Sequence, residues 1–187
     1  MPDSNITKNA LAASMKKLMS QKPFAKISVG DICEECGMNR KSFYYHFKDK
    51  YDLVNWIFCV DFIGRINLES YEAEWNLLDD LCRYFYAERE FYSNALQIEG
   101  QNSFKEYFFE TLRPVIVFYM QSAFSRSVKK DFYVTFFCDG FLSAIARWLQ
   151  EGSVIPPDEF IEDLHGIIVL LAKRVVEKEE EQETKKE

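Results

Sequence analysis

Hydrophobic residues recur at helical spacing along most of this chain, and no run shows the strict alternation of a half-buried strand. Over residues 3–21 an apolar stripe that includes Leu11, Met15 and Leu18 predicts a first helix with its lysines outside the stripe. Pro23 ends this helix, since the residue before a proline is pushed out of the helical region. The pattern therefore predicts an all-α protein.

A short helix, a tight turn and a second short helix are predicted over residues 28–47. Ser28 is a favoured N-cap residue for the first of them. Gly37 ends that helix, because glycine alone tolerates positive φ at little cost. Asn39 then caps the second helix.

The second short helix has an outward surface that lacks acidic residues. Phe43 and Phe47, four positions apart, would pack it onto the rest of the domain. The sequence has no acid between Glu35 and Asp49. The residues left outside are Arg40, Lys41, Ser42, Tyr44, Tyr45 and His46. A recognition helix presents a surface of this kind to DNA.

Further helices are predicted near residues 50–70, 75–90, 103–124, 130–150 and 157–180, with a helical piece around 90–98. Breaks are expected at residues 99–102 and 151–158, which hold glycine or proline. Pro114 should kink or split the helix in which it lies.

The stretch over residues 27–53 resembles the helix-turn-helix of the TetR/AcrR family of transcriptional regulators. It reads Ile27-Ser28-Val29-Gly30-Asp31-Ile32 and then Phe43-Tyr44-Tyr45-His46-Phe47-Lys48-Asp49-Lys50-Tyr51-Asp52-Leu53. Cys36, Lys41 and the pair Met38-Asn39 depart from the commonest pattern of the family. The resemblance implies a three-helix DNA-binding head at residues 1–50. It also implies a larger helical body for ligand binding and dimerisation at residues 51–187, of which 177–187 is expected to be disordered or frayed.

The same resemblance implies roles for individual residues. In that family the lysine at the position of Lys50 touches a DNA phosphate, and the positions of Tyr45 and His46 contact the DNA backbone in many members. The alternative interpretation is that neither residue contacts DNA. Tyr45 would then be an ordinary surface aromatic and His46 a partly buried histidine at a helix end. Base-edge contacts, which set sequence choice, are expected from Arg40, Lys41, Ser42 and Tyr44. Ser28 and Asn39, at the two helix N-termini, complete the expected DNA-binding set.

The charge distribution agrees with one DNA-facing end. Residues 1–50 hold nine Lys and Arg against five Asp and Glu, a balance of +4, whereas residues 51–187 hold fourteen against twenty-five, a balance of −11. Uneven charge alone is common in proteins. Together with the helix-turn-helix it indicates a double-stranded DNA partner for the head.

The helices near 130–150 and 157–176 are apolar over most of their surface. A helix with so narrow a polar stripe must be buried on two sides. Gly140 and Ala144, four apart, would permit close helix approach. Core packing alone is one interpretation. The family resemblance favours the other, a homodimer formed by these two helices, because a helix-turn-helix usually reads a two-fold operator with two copies.

An effector site, if the body has one, is expected among aromatic and basic side chains. The candidates are Tyr107, Arg113, Phe118, Phe137, Phe141 and Arg147. The alternative is that the aromatics are ordinary core and the arginines solvated. Residues 27–29, 43–44, 53–58 and 61–62 also resemble TetR-type regulators associated with dihydroxyacetone kinase operons. Members of that group can act through a protein co-activator, and the signal would then arrive on the surface.

Other chemistries find little support in the sequence. Cys33 and Cys36 have metal-ligand spacing but lie at core positions without a second pair, and the chain has only two histidines, His46 and His165. We expect no metal, no cofactor and no catalysis. The five scattered cysteines and the lack of a leader or membrane-spanning run predict reduced thiols and a cytoplasmic location.

These observations predict a homodimeric, ligand-responsive repressor that binds a two-fold symmetric operator. One alternative is a transcriptional activator that works through a protein co-activator. Another, from a different class, is a helical adaptor that dimerises through its last two helices and binds protein.

Overall fold

The computed structural model describes residues 2–62, 64, 76–98, 103–123, 129–152 and 155–184. All regular structure within these ranges is helical, which confirms the predicted all-α class. The helices are α1 (Pro2–Met19), a 3₁₀ turn (Phe24–Lys26), α2 (Val29–Glu35), α3 (Arg40–His46), α4 (Lys50–Asp61), α5 (Asn76–Ala87), α6 (Arg89–Leu96), α7 (Phe104–Ala123), α8 (Lys130–Gln150) and α9 (Pro157–Thr184).

Most predicted helices agree with these bounds, including the short helical piece predicted around residues 90–98, which corresponds to α6. Helix α4 ends earlier than predicted, at Asp61, with Phe62 as its C-cap. Residues 65–70 of that prediction, residue 75, residue 124 and the predicted break at 99–102 lie outside the described residues. Gly152, with φ of +84°, follows the end of α8 as its sequence predicted.

Pro114 lies inside α7, which is assigned as one helix from Phe104 to Ala123. Of the predicted kink or split, the split is therefore wrong. Pro114 is exposed, so the carbonyl that loses its helical N–H partner lies on a side of the helix that water can reach. A proline on the solvent side of a long, well-packed helix need not end it.

Helix α9 continues to Thr184, through most of the segment expected to be frayed. Glu177 and Lys178 are exposed, as a solvated tail requires. Glutamate and lysine are strong helix formers, which explains helical backbone without packing. Arg174 adds an exposed ion pair with Glu177 at 3.6 Å. Residues 185–187 of the predicted tail lie outside the described residues.

The centre of the fold is an aromatic cluster built around Phe58 of α4. Its ring is fully buried, and the surrounding rings have centroids 5.7–6.4 Å away. These neighbours are Phe62, Phe85, Tyr92, Phe104, Tyr107 and Phe108. Helix α4 thus begins in the helix-turn-helix region and ends within the core formed by α5, α6 and α7, so it joins the two parts of the chain.

Polar contacts tie α1 to the same body. Lys16 Nζ lies 2.6 Å from a carboxylate oxygen of Asp61 and 3.1 Å from one of Glu88. Asn94 of α6 donates its side-chain N–H to the carbonyl of Met19 at 3.1 Å. The end of the first helix is therefore held by α4, by α6 and by the turn that precedes α6.

Candidate nucleic-acid interface

Helix α2 begins with a complete capping box. The Ser28 hydroxyl accepts the Asp31 backbone N–H at 3.1 Å, and the Asp31 carboxylate accepts the Ser28 backbone N–H at 2.9 Å. Lys22 donates to the same carboxylate at 3.0 Å. The Ser28 backbone N–H and the Lys22 ammonium lower the pKa of Asp31. The predicted cap is confirmed, and it fixes where α2 starts.

The turn between α2 and α3 depends on Gly37, whose φ is +67°. This left-handed conformation lets the Met38 N–H reach back to the Cys33 carbonyl at 2.8 Å. A side chain at this position would be strained whatever space surrounds it. The glycine therefore sets the angle at which α3 leaves α2.

Helix α3 is capped by Asn39, as predicted. Its side-chain oxygen accepts the Ser42 backbone N–H at 2.9 Å and the Ser42 hydroxyl at 3.2 Å. Phe43 is fully buried and Phe47 nearly so. Because these two rings face the core, the opposite side of the seven-residue helix faces outwards.

The exposed surface of α3 carries the residues predicted for DNA contact. Tyr44 is 59% exposed and Tyr45 82% exposed, which is unusual for aromatic side chains. Arg40 and Lys41 are also exposed, whereas His46 is half-buried with its ring 4.9 Å from that of Tyr45. Large exposed aromatics beside cations, without an acid among them, suit a polyanionic ligand.

Arg40 lies against the start of α2, a contact that the sequence pattern did not reveal. A Cβ atom placed on Gly30 would be 2.6 Å from a terminal nitrogen of the Arg40 guanidinium. The missing side chain at Gly30 therefore leaves the space that Arg40 occupies. Sequence spacing gave no signal of this contact, since the two residues are on different helices.

Lys50 is positioned by the turn before α2. Its Nζ donates to the carbonyls of Phe24 at 2.9 Å and Ile27 at 2.8 Å, and it lies 4.2 Å from the centroid of the Phe24 ring. Partial burial lowers the pKa of this ammonium. An ammonium has three N–H donors, so one remains after these two bonds. The sequence predicted a phosphate contact for Lys50 but did not reveal that it also bonds to the turn before α2.

Asn39 offers a test of how the cap positions α3. Asn39→Ala should lower the free energy of unfolding by about 1 kcal/mol, because the α3 N–H of Ser42 loses its acceptor. Asn39→Asp should keep the cap and the stability but weaken DNA binding, since it places a carboxylate on the acid-free surface. Urea unfolding and DNA titration measure the two effects.

The control for this pair is Ser20→Ala. Ser20 is exposed and donates its hydroxyl to the Lys17 carbonyl without capping a helix start. Its loss should change the unfolding free energy by less than about 0.5 kcal/mol. Equal losses for Asn39→Ala and Ser20→Ala would show that the cap does not hold α3.

The described body candidates for an effector site have different surroundings. Tyr107 hydrogen bonds to the Cys59 thiol, and burial together with this contact raises the pKa of Tyr107 to about 12. Arg113 is half-buried and pairs with Asp139 of α8. Arg147 is exposed and lies on the polar stripe of α8. The side chain of Phe118 lies outside the described residues.

Phe137 and Phe141 instead lie in an apolar groove between α8 and α9. We call this surface the α8–α9 face. The groove has a volume of about 240 Å³, and neither Tyr107 nor Arg113 lines it. Its lining residues are Phe136, Phe137, Gly140, Phe141, Ala144, Leu164, Ile167, Ile168 and Leu171. Phe136 and Ile167 are more than half exposed, so the face is open in a single chain.

The described residues offer neither a membrane-spanning helix nor a cluster of metal ligands. No helix in the described part of the chain is long and apolar enough to cross a membrane. Within the same residues, no group of three or more His, Cys, Asp or Glu side chains is placed to hold a metal ion.

Comparison with known proteins agrees with this architecture. Residues 11–57 match the family model of bacterial regulatory proteins of the tetR family, and residues 74–169 match a transcriptional regulator C-terminal region of the TetR type. The chain is also 31% identical over 175 residues to the HTH-type dhaKLM operon transcriptional activator DhaS of Lactococcus lactis subsp. lactis (strain IL1403), covering 91% of each chain. This chain belongs to the TetR family. The resemblance of its helix-turn-helix is confirmed, and the likeness to DhaS continues beyond residue 70.

Solved structures of TetR-type regulators share the fold. The dihydroxyacetone kinase operon activator DhaS superposes with a TM-score of 0.70 at 22% identity, over 91% of this chain and 98% of that one. NalD, the secondary repressor of the MexAB-OprM multidrug efflux pump in Pseudomonas aeruginosa, gives a TM-score of 0.61 at 18% identity over 88% and 96%. TetR family regulators are DNA-binding proteins without enzymatic activity. The protein is thus a DNA-binding transcriptional regulator, as the sequence predicted.

Proposed function

We propose that the protein is a homodimer that reads a two-fold symmetric operator with α3 of each copy in the major groove. The observation that carries this proposal is the exposed, acid-free surface of a helix whose two ends are fixed by Asn39 and Phe47. A rigid helix places its side chains on base edges with a defined register.

The contacts divide by chemistry. Lys50, Tyr45 and His46 would bind phosphates, which sets affinity and register. The residues that would reach base edges are Arg40, Lys41, Ser42 and Tyr44. Ser28 and Asn39 hold the two helix N-termini towards the DNA backbone, where unpaired N–H groups favour phosphate.

The dimer would form through the α8–α9 face, from residues 130–150 and 157–176. An open apolar groove beside Gly140 suits close approach of helices from a second copy. The two heads would then meet successive major grooves about 34–36 Å apart. A DNA-binding regulator must reach chromosomal DNA, so we propose a cytoplasmic location.

The regulatory signal would act by one of two mechanisms. In the first, an unidentified small effector releases a repressor by favouring a state in which the heads no longer match the operator. In the second, a protein co-regulator binds the surface and the protein activates transcription. The ring-on-ring packing around Phe58 supports the second mechanism, as does the likeness to DhaS, which is named an activator of the dhaKLM operon.

Selection of bound sequences from a random DNA pool at two salt concentrations tests the proposal. A two-fold symmetric site whose affinity falls steeply with salt is expected, with a slope of about −0.9 per phosphate neutralised. Weak binding without sequence preference would contradict the proposed two-fold operator.

The same selection tests the role of α3. Arg40→Ala and Tyr44→Ala should relax the preference at particular base pairs, at about 1–3 kcal/mol for each lost base contact. Lys48→Ala is the control, since Lys48 is an exposed cation just beyond α3 and should affect all sequences alike. Uniform losses on every sequence for all three variants would contradict the assignment of base contacts to α3.

A further inference from the structure

A second groove lies where the head meets the body, away from the α8–α9 face. We call it the junction groove. It has a volume of about 300 Å³. Pro23, Phe24 and Ala25 of the head, with Tyr51 at the start of α4, form one wall, which we call the head wall. Asn94, Gln97 and Ile98 of α6 and its C-terminal turn form the other, which we call the body wall. The groove therefore lies between the helix-turn-helix region and the helices of the body.

The lining indicates the chemistry of a ligand. No lining side chain is charged among the residues described here, so an ion would find no direct counter-charge. Asn94 uses its side-chain N–H donors on the carbonyls of Met19 at 3.1 Å and Glu90 at 3.0 Å, which leaves its amide oxygen as an acceptor. Gln97 is exposed and can donate and accept.

The aromatic residues of the head wall are Tyr51, which is half-buried, and Phe24, which is only 5% exposed. Phe24 and Tyr51 pack edge to face with centroids 5.0 Å apart. Aromatic walls with a few amide groups favour a flat molecule with hydrogen-bonding groups at its edge. The volume of about 300 Å³ is at the lower end for ligand sites, which limits the ligand to small molecules.

We propose that the junction groove binds a small, neutral, planar molecule that carries an amide-like donor and acceptor, and that this binding changes operator affinity. The regulatory half of this inference rests on the proposed DNA-binding function, whereas the binding half does not. The site is distinct from the aromatic core of the body, where the sequence led us to expect an effector.

The coupling to DNA follows from two contacts. Phe24, in the head wall, supplies both a carbonyl and a ring to the ammonium of Lys50. Asn94, in the body wall, holds the last carbonyl of α1 at Met19. A ligand that touches both walls binds best at one separation of head and body, and it therefore favours that state over the others.

The probe for the test is 4-fluorobenzamide, a neutral planar amide, followed by ¹⁹F NMR with the full-length protein and no DNA. A ligand of about ten heavy atoms is expected to bind with a Kd on the order of millimolar. Ala25→Trp, at an exposed lining position, should fill the groove and weaken binding at least about tenfold, or about 1.4 kcal/mol. Ala13→Trp, at an exposed position of α1 outside the groove, is the matched control and should bind as the native chain does.

Absence of binding at about 10 mM probe, or equal binding by the two tryptophan variants, would overturn the site. The regulatory half is measured separately, as the shift in operator affinity at saturating probe. A shift in the native chain and in Ala13→Trp but not in Ala25→Trp supports it, and no shift in any of them overturns it. If no operator is found at all, the proposed DNA-binding function fails, while the NMR result still decides the site.

Discussion

Lys50→Met is expected to weaken binding to every DNA sequence and also to destabilise the head. The substitution removes a charge that we assign to a phosphate, so the salt slope should fall by about one. It also leaves the carbonyls of Phe24 and Ile27 without the ammonium that now bonds to both. Losing a charged partner of this kind should lower the unfolding free energy by about 1–3 kcal/mol.

Lys48→Met is the matched control, because it removes the same charge two residues earlier in the chain. Lys48 is exposed, and its backbone N–H, which the substitution keeps, bonds to Asp52 at 2.9 Å. This variant should show a smaller loss of DNA affinity and an unfolding free energy within about 0.5 kcal/mol of the native value. Urea unfolding and DNA titration at several salt concentrations provide both quantities. Equal stability of the two variants would show that the hydrogen bonds from Lys50 to the carbonyls of Phe24 and Ile27 do not stabilise the head.

Ile167→Arg is expected to convert the protein to monomers and to abolish tight operator binding. Ile167 is 55% exposed in a single chain and lies in the apolar groove of the α8–α9 face. In a two-fold interface the new charge would be buried twice without a partner. At about 3–5 kcal/mol for an uncompensated buried charge, the dimer dissociation constant should rise roughly a hundredfold or more.

Val169→Arg is the control for this variant, with the same kind of change two residues further along α9. Val169 is 43% exposed, but it does not line the groove, because two residues rotate the side chain to another side of the helix. Sedimentation velocity should find Val169→Arg dimeric and Ile167→Arg monomeric, each with native helical content. A dimeric Ile167→Arg variant with full operator affinity would rule out the α8–α9 face as the interface.

The structure also bears on how a signal reaches the heads. Phe58 connects α4 to rings from α5, α6 and α7, and Lys16 connects α1 to the turn before α6. Helix α6 and the turn before it therefore contact both α1 and α4. A co-regulator bound on the body surface and a small molecule in the junction groove would act through the same contacts.

Local features were predictable because they depend on residues close together in the chain. The caps at Ser28 and Asn39 need only a partner three residues on, and the turn needs only the glycine at position 37. The all-α class followed from hydrophobic spacing for the same reason. The family resemblance then indicated that the outward surface of α3 binds DNA, which residue spacing alone could not show.

Contacts between distant segments were not predictable. Arg40 over Gly30 and Lys50 on the carbonyls at residues 24 and 27 depend on how separate helices pack. The sequence pattern marks a residue as polar or apolar, but it does not say which other segment will lie beside it. For the same reason the pattern did not show that Arg113 of α7 would pair with Asp139 of α8.

The sequence by itself thus determined the helical class, the helix-turn-helix and the residues of its outward surface, because short-range spacing and capping govern these features. Tertiary structure decided that α7 continues through Pro114, that Lys50 has a structural role, and that Phe137 and Phe141 line an open groove that Tyr107 and Arg113 do not line. These outcomes depend on which surfaces meet and which reach water, and only the assembled packing of the helices settles that.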